Sequence, residues 1–201
     1  MTITEAIEKY QSEFGLELPA EKTEKLSRYY ELVMQNNELL HLVAPSIDAE
    51  EFAVRHILES LYALQFLPEN AVFADVGTGA GLPSVPCLIV REDLLGKLIE
   101  SKQKKGIFLK EVIKKCGLEE RAILINKQFQ EVSNIEVSFI LCRALDKFSR
   151  RLVQIKNWSG NAEMILFAGN SVRQELKKRK ITFEEYLIPL SEQRFIFRTK
   201  K

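Results

Sequence analysis

Ala71-Val72-Phe73-Ala74-Asp75-Val76-Gly77-Thr78-Gly79-Ala80-Gly81 is the stretch that decides the fold of this chain. An apolar run ends in an acid and passes straight into three alternating glycines. The run predicts a buried strand. Glycines, having no Cβ, let a ligand lie against bare backbone. In open α/β sheets such loops sit at the carboxyl ends of strands, where ligands bind.

The spacing excludes two ligands. A nicotinamide or flavin dinucleotide fingerprint needs a third glycine three places after the second, and that place is Leu82. A phosphate-binding P-loop needs Lys-Ser or Lys-Thr after its glycines, and neither follows here. S-adenosyl-L-methionine (AdoMet) carries a sulfonium, an ammonium and no phosphate, and suits the loop better. Asp75 is then expected at the strand's end, facing a cationic or hydrogen-donating ligand. Gly96-Lys97-Leu98-Ile99-Glu100 reads as a short buried strand ending in a second carboxylate. Nucleotide-binding α/β folds place an acid about 20 residues past the glycine loop to bind the ribose hydroxyls, and Glu100 meets that spacing. The bland alternative is a tight strand–helix turn with solvated acids.

Working outward, apolar runs alternate with helical patterns after Pro68. Strands are expected at 71–76, 97–100, 122–126, 137–142 and 163–168. Helices are expected near 83–91, 102–116, 146–158 and 170–180, with a final strand pair near 183–199. Such alternation predicts a doubly wound, parallel α/β sheet with helices on both faces. Residues 1–68 read as helical instead. Pro19 suits a first helical turn, and Leu26, Tyr29, Tyr30, Val33, Asn37 and Leu40 recur at helical spacing. Asp48 with Glu51 resembles a capping box, opening a helix that carries Phe52, Arg55, His56, Glu59, Ser60 and Leu64. The expected division is a helical N-terminal cap over 1–68 and an AdoMet-binding Rossmann-like domain over 69–201.

A chain of 201 residues has room for one sizeable core. No apolar run is long enough to cross a bilayer, so no membrane partner is expected. Met1-Thr2-Ile3-Thr4-Glu5 lacks the basic and apolar regions of an export signal, and a cytoplasmic location is expected. Cys87, Cys116 and Cys142 are odd in number and far apart. That argues against disulfides and zinc, so the thiols are expected as small buried hydrophobes and no metal is expected.

The net charge of +1 hides a polarity: residues 1–100 hold 7 Lys+Arg and 17 Asp+Glu, leaving 22 and 11 of the totals for the rest. The halves therefore carry −10 and +11. Such asymmetry offers a basic face to a polyanion, although halves of a sequence need not map onto faces of a molecule.

Further stretches carry a family likeness. They are Arg55-His56-Ile57-Leu58-Glu59-Ser60-Leu61, Gly81-Leu82-Pro83-Ser84-Val85-Pro86, Leu98-Ile99-Glu100-Ser101 with Lys104-Lys105 and Phe108-Leu109, and Cys142-Arg143-Ala144. In this order they resemble the bacterial small-subunit rRNA guanine-N7 methyltransferase G family, once called glucose-inhibited division protein B. The resemblance covers nearly the whole chain. It implies a class I methyltransferase sheet and AdoMet-dependent methylation of guanine N7 in 16S rRNA of the small ribosomal subunit.

It also implies site residues. Gly77 and Leu82 match loop positions that line AdoMet, together with Asp75, Thr78, Gly79, Gly81 and Glu100 from the loop and its partner strand. Phe129 and Gln130 match the segment bordering the adenine, and Arg143 matches the arginine of a Ser-Arg-Ala motif. The chain departs from the pattern at His41 (usually Asn), Glu59 (Asp), Ser84 (Gly), Cys142 (Ser) and Ala168 (Lys), and keeps Arg-Ala-Glu-Glu only loosely as Gln128-Phe129-Gln130-Glu131. Most of these changes fall where substrate and cap would meet the pocket.

Guanine N7 offers an in-plane lone pair, so no proton must leave before it attacks a methyl group. A catalytic base is not required, and rate is expected from alignment. Arg143 is expected at the rim as the catalytic residue, positioning AdoMet or an RNA phosphate; the alternative is an ion pair with Asp146. Arg55, His56, Lys104 and Lys105 are expected to meet RNA, with His56 equally able to pack the cap as part of one unbroken helix. Lys102, Arg150, Arg151 and the cluster Lys177, Lys178, Arg179, Lys180 are further phosphate candidates; the cluster also fits a solvated helix end. The protein is expected as a monomer. Competing readings are an AdoMet-binding ribosome-associated protein with lost methylation activity and a small-molecule methyltransferase, which the basic second half disfavours.

Overall fold

The computed structural model describes residues 1–133, 135–143 and 148–200, with only the backbone of 148–150. A seven-stranded sheet forms the centre: β1 (Val72–Val76), β2 (Leu95–Ile99), β3 (Ala122–Ile125), β4 (Phe139–Arg143), β5 (Glu163–Ala168), β6 (Phe183–Leu187) and β7 (Phe195–Thr199). Its order is β3-β2-β1-β4-β5-β7-β6. The first five strands are parallel, whereas β7 runs antiparallel to both β5 and β6.

The expectation of a parallel sheet therefore needs a correction at its last strand. The short 188–194 connection is too short for a crossover, so β6 and β7 pair as a hairpin. Composition decides which of the two goes inside. Ile196 and Phe197 are fully buried, while β6 shows Glu184, Glu185 and Leu187 toward solvent and takes the edge. Charge on an edge strand blunts further pairing.

Helices cover both faces. α5 (Ser84–Val90) and α6 (Gln103–Lys115) pack on one, α7 (Phe148–Ser159) and α8 (Asn170–Lys178) on the other. Strand alternation feeds the two layers: Ala71 and Phe73 join the first apolar cluster, Ala74 and Val76 the second.

The N-terminal helices are α1 (Ile3–Tyr10), α2 (Ala20–Leu40), α3 (Ala49–Phe52) and α4 (Glu59–Leu61). A complete capping box starts α1, with Thr2 and Glu5 exchanging bonds. At Asp48 only half the box forms. Its carboxylate accepts the Glu51 N–H at 2.8 Å, but Glu51 turns to Arg55 one helical turn on, at 2.6 Å. Pro19 stands just before α2 as its N-cap.

The helix expected to run unbroken through His56 does run from Ala49 to Phe66, but it changes hydrogen-bond register on the way. Residues Ala53–Leu58 form a π-turn between α3 and α4, and a 3-10 turn follows at Tyr62–Phe66. Leu26, Tyr29, Leu32 and Val33 of α2 share one apolar cluster with Phe73, Leu88 and Leu98 of the sheet layer. Cap and sheet face thus have a common core.

Candidate functional site

The strand order reverses between β1 and β4, which opens a crevice at the carboxyl ends of these strands. The glycine loop closes one side of it. The N–H groups of Gly77 and Thr78 donate to Ile99 O at 2.9 and 3.2 Å, tying the loop to the end of β2. Gly79 sits at φ +58°, and a Cβ built there meets nothing nearer than Gly77 O at 3.7 Å. Its bare backbone faces open space.

Gly81 has a different job. A Cβ there would stand 2.6 Å from Val85 Cγ2, so this glycine lets α5 pack close. It is not on the crevice wall.

Glu100 is part of this wall. It is 6% exposed; Oε2 accepts the Gly79 N–H at 3.0 Å and Oε1 the Lys102 N–H at 2.7 Å. Asn126 Nδ2 holds its main-chain carbonyl at 2.5 Å, and a Cβ on Gly106 would lie 2.6 Å from Asn126 Oδ1. Each Glu100 oxygen uses one lone pair in these bonds and keeps another.

Asp75 is placed otherwise than expected. It lies inside β1, opposite Leu98 and Leu141, and is completely buried. Alternation puts it on the Phe73 face, beneath the start of α5, where Ser84 Oγ donates to Oδ2. Among the described residues no full hydrogen bond reaches Oδ1 or the buried Thr78 hydroxyl, although the two groups lie close enough for Thr78 to favour the charged carboxylate. Burial pushes the Asp75 carboxyl up to about 7, with the Ser84 and Thr78 hydroxyls and the Ser84 N–H pulling the other way. It faces no crevice.

The main crevice, about 340 Å³, is walled by Gly77, Thr78, Gly79, Leu82 and Glu100 on the sheet side. His56, Arg143, Lys102, Lys105, Arg151, Leu42 and Val43 are among the residues that line the rest of it. A slot of about 60 Å³ adjoins it, bordered by Phe129, Gln130 and Lys127 and sharing Gly77, Ser101 and Arg151 with the crevice. Leu42 and Val43 are held there by Asn37 Oδ1, which accepts both their N–H groups at 2.9 Å. His41, between them and α2, takes the left-handed conformation at φ 48°. Asn also tolerates that region and His is enriched in it, so the His41 departure is conformationally mild. Tyr29 OH donates to Ala80 O at 3.0 Å, fastening α2 to the loop.

Arg143 lines the crevice but is no rim residue. Its side chain is 12% exposed and pairs with Glu59 Oε2 at 3.3 Å. Nη1 donates to Ser60 Oγ at 3.2 Å, and Nη2 to Arg55 O and to His56 Nδ1, the latter at 3.2 Å. Burial lowers the Arg143 pKa and Glu59 counters it. Arginine has no acceptor, so His56 Nδ1 must accept and the ring proton sits on Nε2. Burial first, then Arg143, Arg55 and Arg194, push His56 down to about 3. The ring is neutral at physiological pH.

Other expected residues scatter. Lys104 is exposed and off the crevice, while Lys105 reaches His41 O at 3.5 Å. Arg55 points away, bonded to Glu51 and bordering a separate hollow with Arg194. The 177–180 cluster ends α8, which starts at the crevice end of β5 and runs back along the sheet. It therefore lies at the opposite edge. Asp146 and the Arg150 side chain fall outside the described residues. All three cysteines are buried and unpaired. Among the described residues no group of three metal-binding side chains forms, and no helix is long and apolar enough to cross a membrane.

Glu59, which pairs with Arg143 behind the crevice wall, is a residue to which residue types alone gave no role, although an acid seven places after buried Phe52 falls on the same apolar helix stripe. Arg194 and Asn126 had no such signal.

A family model described as rRNA small subunit methyltransferase G matches residues 22–193. The ribosomal RNA small subunit methyltransferase G of Pelotomaculum thermopropionicum is 37% identical over 119 residues, taking in 58% of this chain and 49% of that protein. The protein of the same name from Carboxydothermus hydrogenoformans is 33% identical over 185 residues, 86% of this chain and 75% of its own length. Among solved structures, M. capricolum TrmK in complex with S-adenosyl-homocysteine is similar with a TM-score of 0.57 at 15% identity, over 71% of this chain and 67% of that one. That likeness is one of fold.

Proposed function

We propose, because this chain belongs to the rRNA small subunit methyltransferase G family and is a methyltransferase of small-subunit ribosomal RNA, that it uses AdoMet to methylate N7 of a guanine in 16S rRNA. The observation that carries the reading is the joined crevice at the strand-order reversal, where Glu100 clamps Gly79. The residues present fit the cofactor: open space above Gly79 admits it, and Glu100 retains lone pairs for the two ribose hydroxyls. Phe129 and Gln130 would border the adenine in the adjoining slot. AdoMet supplies the electrophilic methyl group when bound.

The chain's own work is orientation. Gly77, Thr78, Gly79 and Leu82 shape one wall, and Arg143 with His56 shapes the other. His56, neutral and protonated on Nε2, is a hydrogen-bond donor suited to guanine O6, the acceptor beside N7. Glu100 is the acidic side chain on the wall among the described residues, and it favours the positive charge that guanine gains. Lys102, Lys105 and Arg151 line the crevice and Lys127 the slot, where they suit RNA phosphates. This cationic lining favours RNA over a small-molecule acceptor. Asp75 acts from behind, by holding Ser84 under the loop.

His41, Ser84 and Ala168 lie off the crevice wall, which favours an active enzyme over an inactive AdoMet-binding ribosomal factor. The test supplies labelled AdoMet with naked 16S rRNA and with small subunits lacking the modification. Label at guanine N7 in either substrate is expected. Calorimetric AdoMet binding with no transfer to either would leave the inactive factor instead.

A further inference from the structure

Glu59 receives guanidinium groups from two sides. Arg143 Nη2 stands 3.3 Å from Oε2, and Arg194 meets Oε1 through Nε at 2.7 Å and Nη2 at 2.6 Å. The carboxylate is almost wholly buried; Arg194, from the 188–194 connection, is 37% exposed. Arg194 also lies just past the last residue of the family match.

The division of the two oxygens has a consequence. A carboxylate facing one arginine draws it into a bidentate, fork-to-fork pair. Here Arg194 occupies Oε1, which leaves Arg143 a single oxygen. The rest of the Arg143 fork is thereby directed to Ser60 Oγ, Arg55 O and His56 Nδ1. The π-turn suits this arrangement: Glu59 N–H bonds Val54 O, five residues back, and Arg55 O is given to Arg143. One negative charge between two positive ones also leaves this wall of the crevice cationic.

We propose that Arg194, acting through Glu59, is a positioning residue: it holds Arg143 against His56 Nδ1 and so keeps the His56 ring as an Nε2–H donor on the crevice wall. The proposal rests on the guanine-methylating reading above and adds a residue outside the crevice to it.

The experiment uses the full-length protein and its Arg194→Gln and Arg194→Lys variants. The chain has two histidines, so their ring nitrogens are readily assigned in 15N spectra. In the parent, His56 is expected to show an unprotonated Nδ1 and a protonated Nε2. Arg194→Gln frees Oε1, and the two His56 nitrogen signals should move toward each other as tautomers mix. Single-turnover methyl transfer should fall about 10- to 100-fold, with AdoMet affinity unchanged. Arg194→Lys, which keeps a cation on Oε1, should recover most of the rate and the parental signals.

Unchanged ring signals in Arg194→Gln would overturn the proposal. A uniform loss of rate, AdoMet affinity and melting temperature in both variants would also overturn it, since that is what a purely structural arginine gives. The nitrogen signals need no methyl transfer. A parent protein that fails to methylate guanine therefore sinks the proposed function, while this positioning role is judged separately.

Discussion

Asp75→Asn tests the electrostatics beneath the glycine loop most directly. An aspartate carboxyl titrates near 3.8 ordinarily and near 7 in this fold, because burial penalises its charge. The native state then binds a proton that the unfolded chain has released throughout that window. Stability must fall as pH rises through it. This contribution is whole below the unfolded value and gone above the folded one. The distance from 3.8 to about 7, at about 1.36 kcal/mol per pH unit, sets a ceiling of about 4 kcal/mol. Asn cannot ionise, and its carbonyl can still accept from Ser84. The stability of Asp75→Asn relative to the parent should therefore rise from pH 4 to pH 8, by up to about 4 kcal/mol. Any fixed cost of seating the amide is the same at every pH and leaves the slope untouched. Urea unfolding of both proteins across this range measures it, because all other titrations are common and cancel. A flat difference would show that Asp75 is ionised at ordinary pH, and the account of its burial would be wrong.

Three other substitutions separate ligand from fold. Gly79→Leu projects into the open crevice, so AdoMet binding should vanish in calorimetry while stability drops only by left-handed strain, about 1–2 kcal/mol. Gly81→Ala drives a methyl group into Val85 and should cost about 1–3 kcal/mol of folding stability by denaturant titration. For Arg143→Ala, Glu59 keeps its pair with Arg194, so losing the Arg143 bonds should cost about 1–3 kcal/mol besides abolishing transfer. Unchanged melting there would contradict the Glu59 contact. Since His56 is held well below its ordinary value, its contribution is present above about pH 6.5 and lost as pH falls toward 3. His56→Gln should accordingly narrow the acid sensitivity of unfolding.

Local pattern accounts for most of the sheet layer. Four- to six-residue apolar runs set between helical repeats place β1 to β5 and α5 to α8 almost where they lie. Insertion of β7 between β5 and β6 was not legible, because pairing order depends on which strand has more apolar surface to hide on both faces. The π-turn at Ala53–Leu58 was not legible either. No glycine or proline marks it, and its partner is Arg143, 84 residues from Glu59. The place of Asp75 is subtler: Ala71, Phe73 and Asp75 alternate onto one side of the strand, which puts the acid on a packed face and not at the strand's open end. Glu100 was easier, since its distance from the glycines reflects one strand–helix–strand repeat.

The core shared by α2 and the sheet layer bears on how this molecule can be taken apart. Cutting the chain after residue 68 would leave Phe73, Leu88 and Leu98 wet and release the Ala80 carbonyl from Tyr29. The N-terminal helices are thus not a detachable accessory. A chimera that trades substrate preference between relatives by exchanging those helices must carry α5 and the glycine turn along with them, or expect an aggregating product.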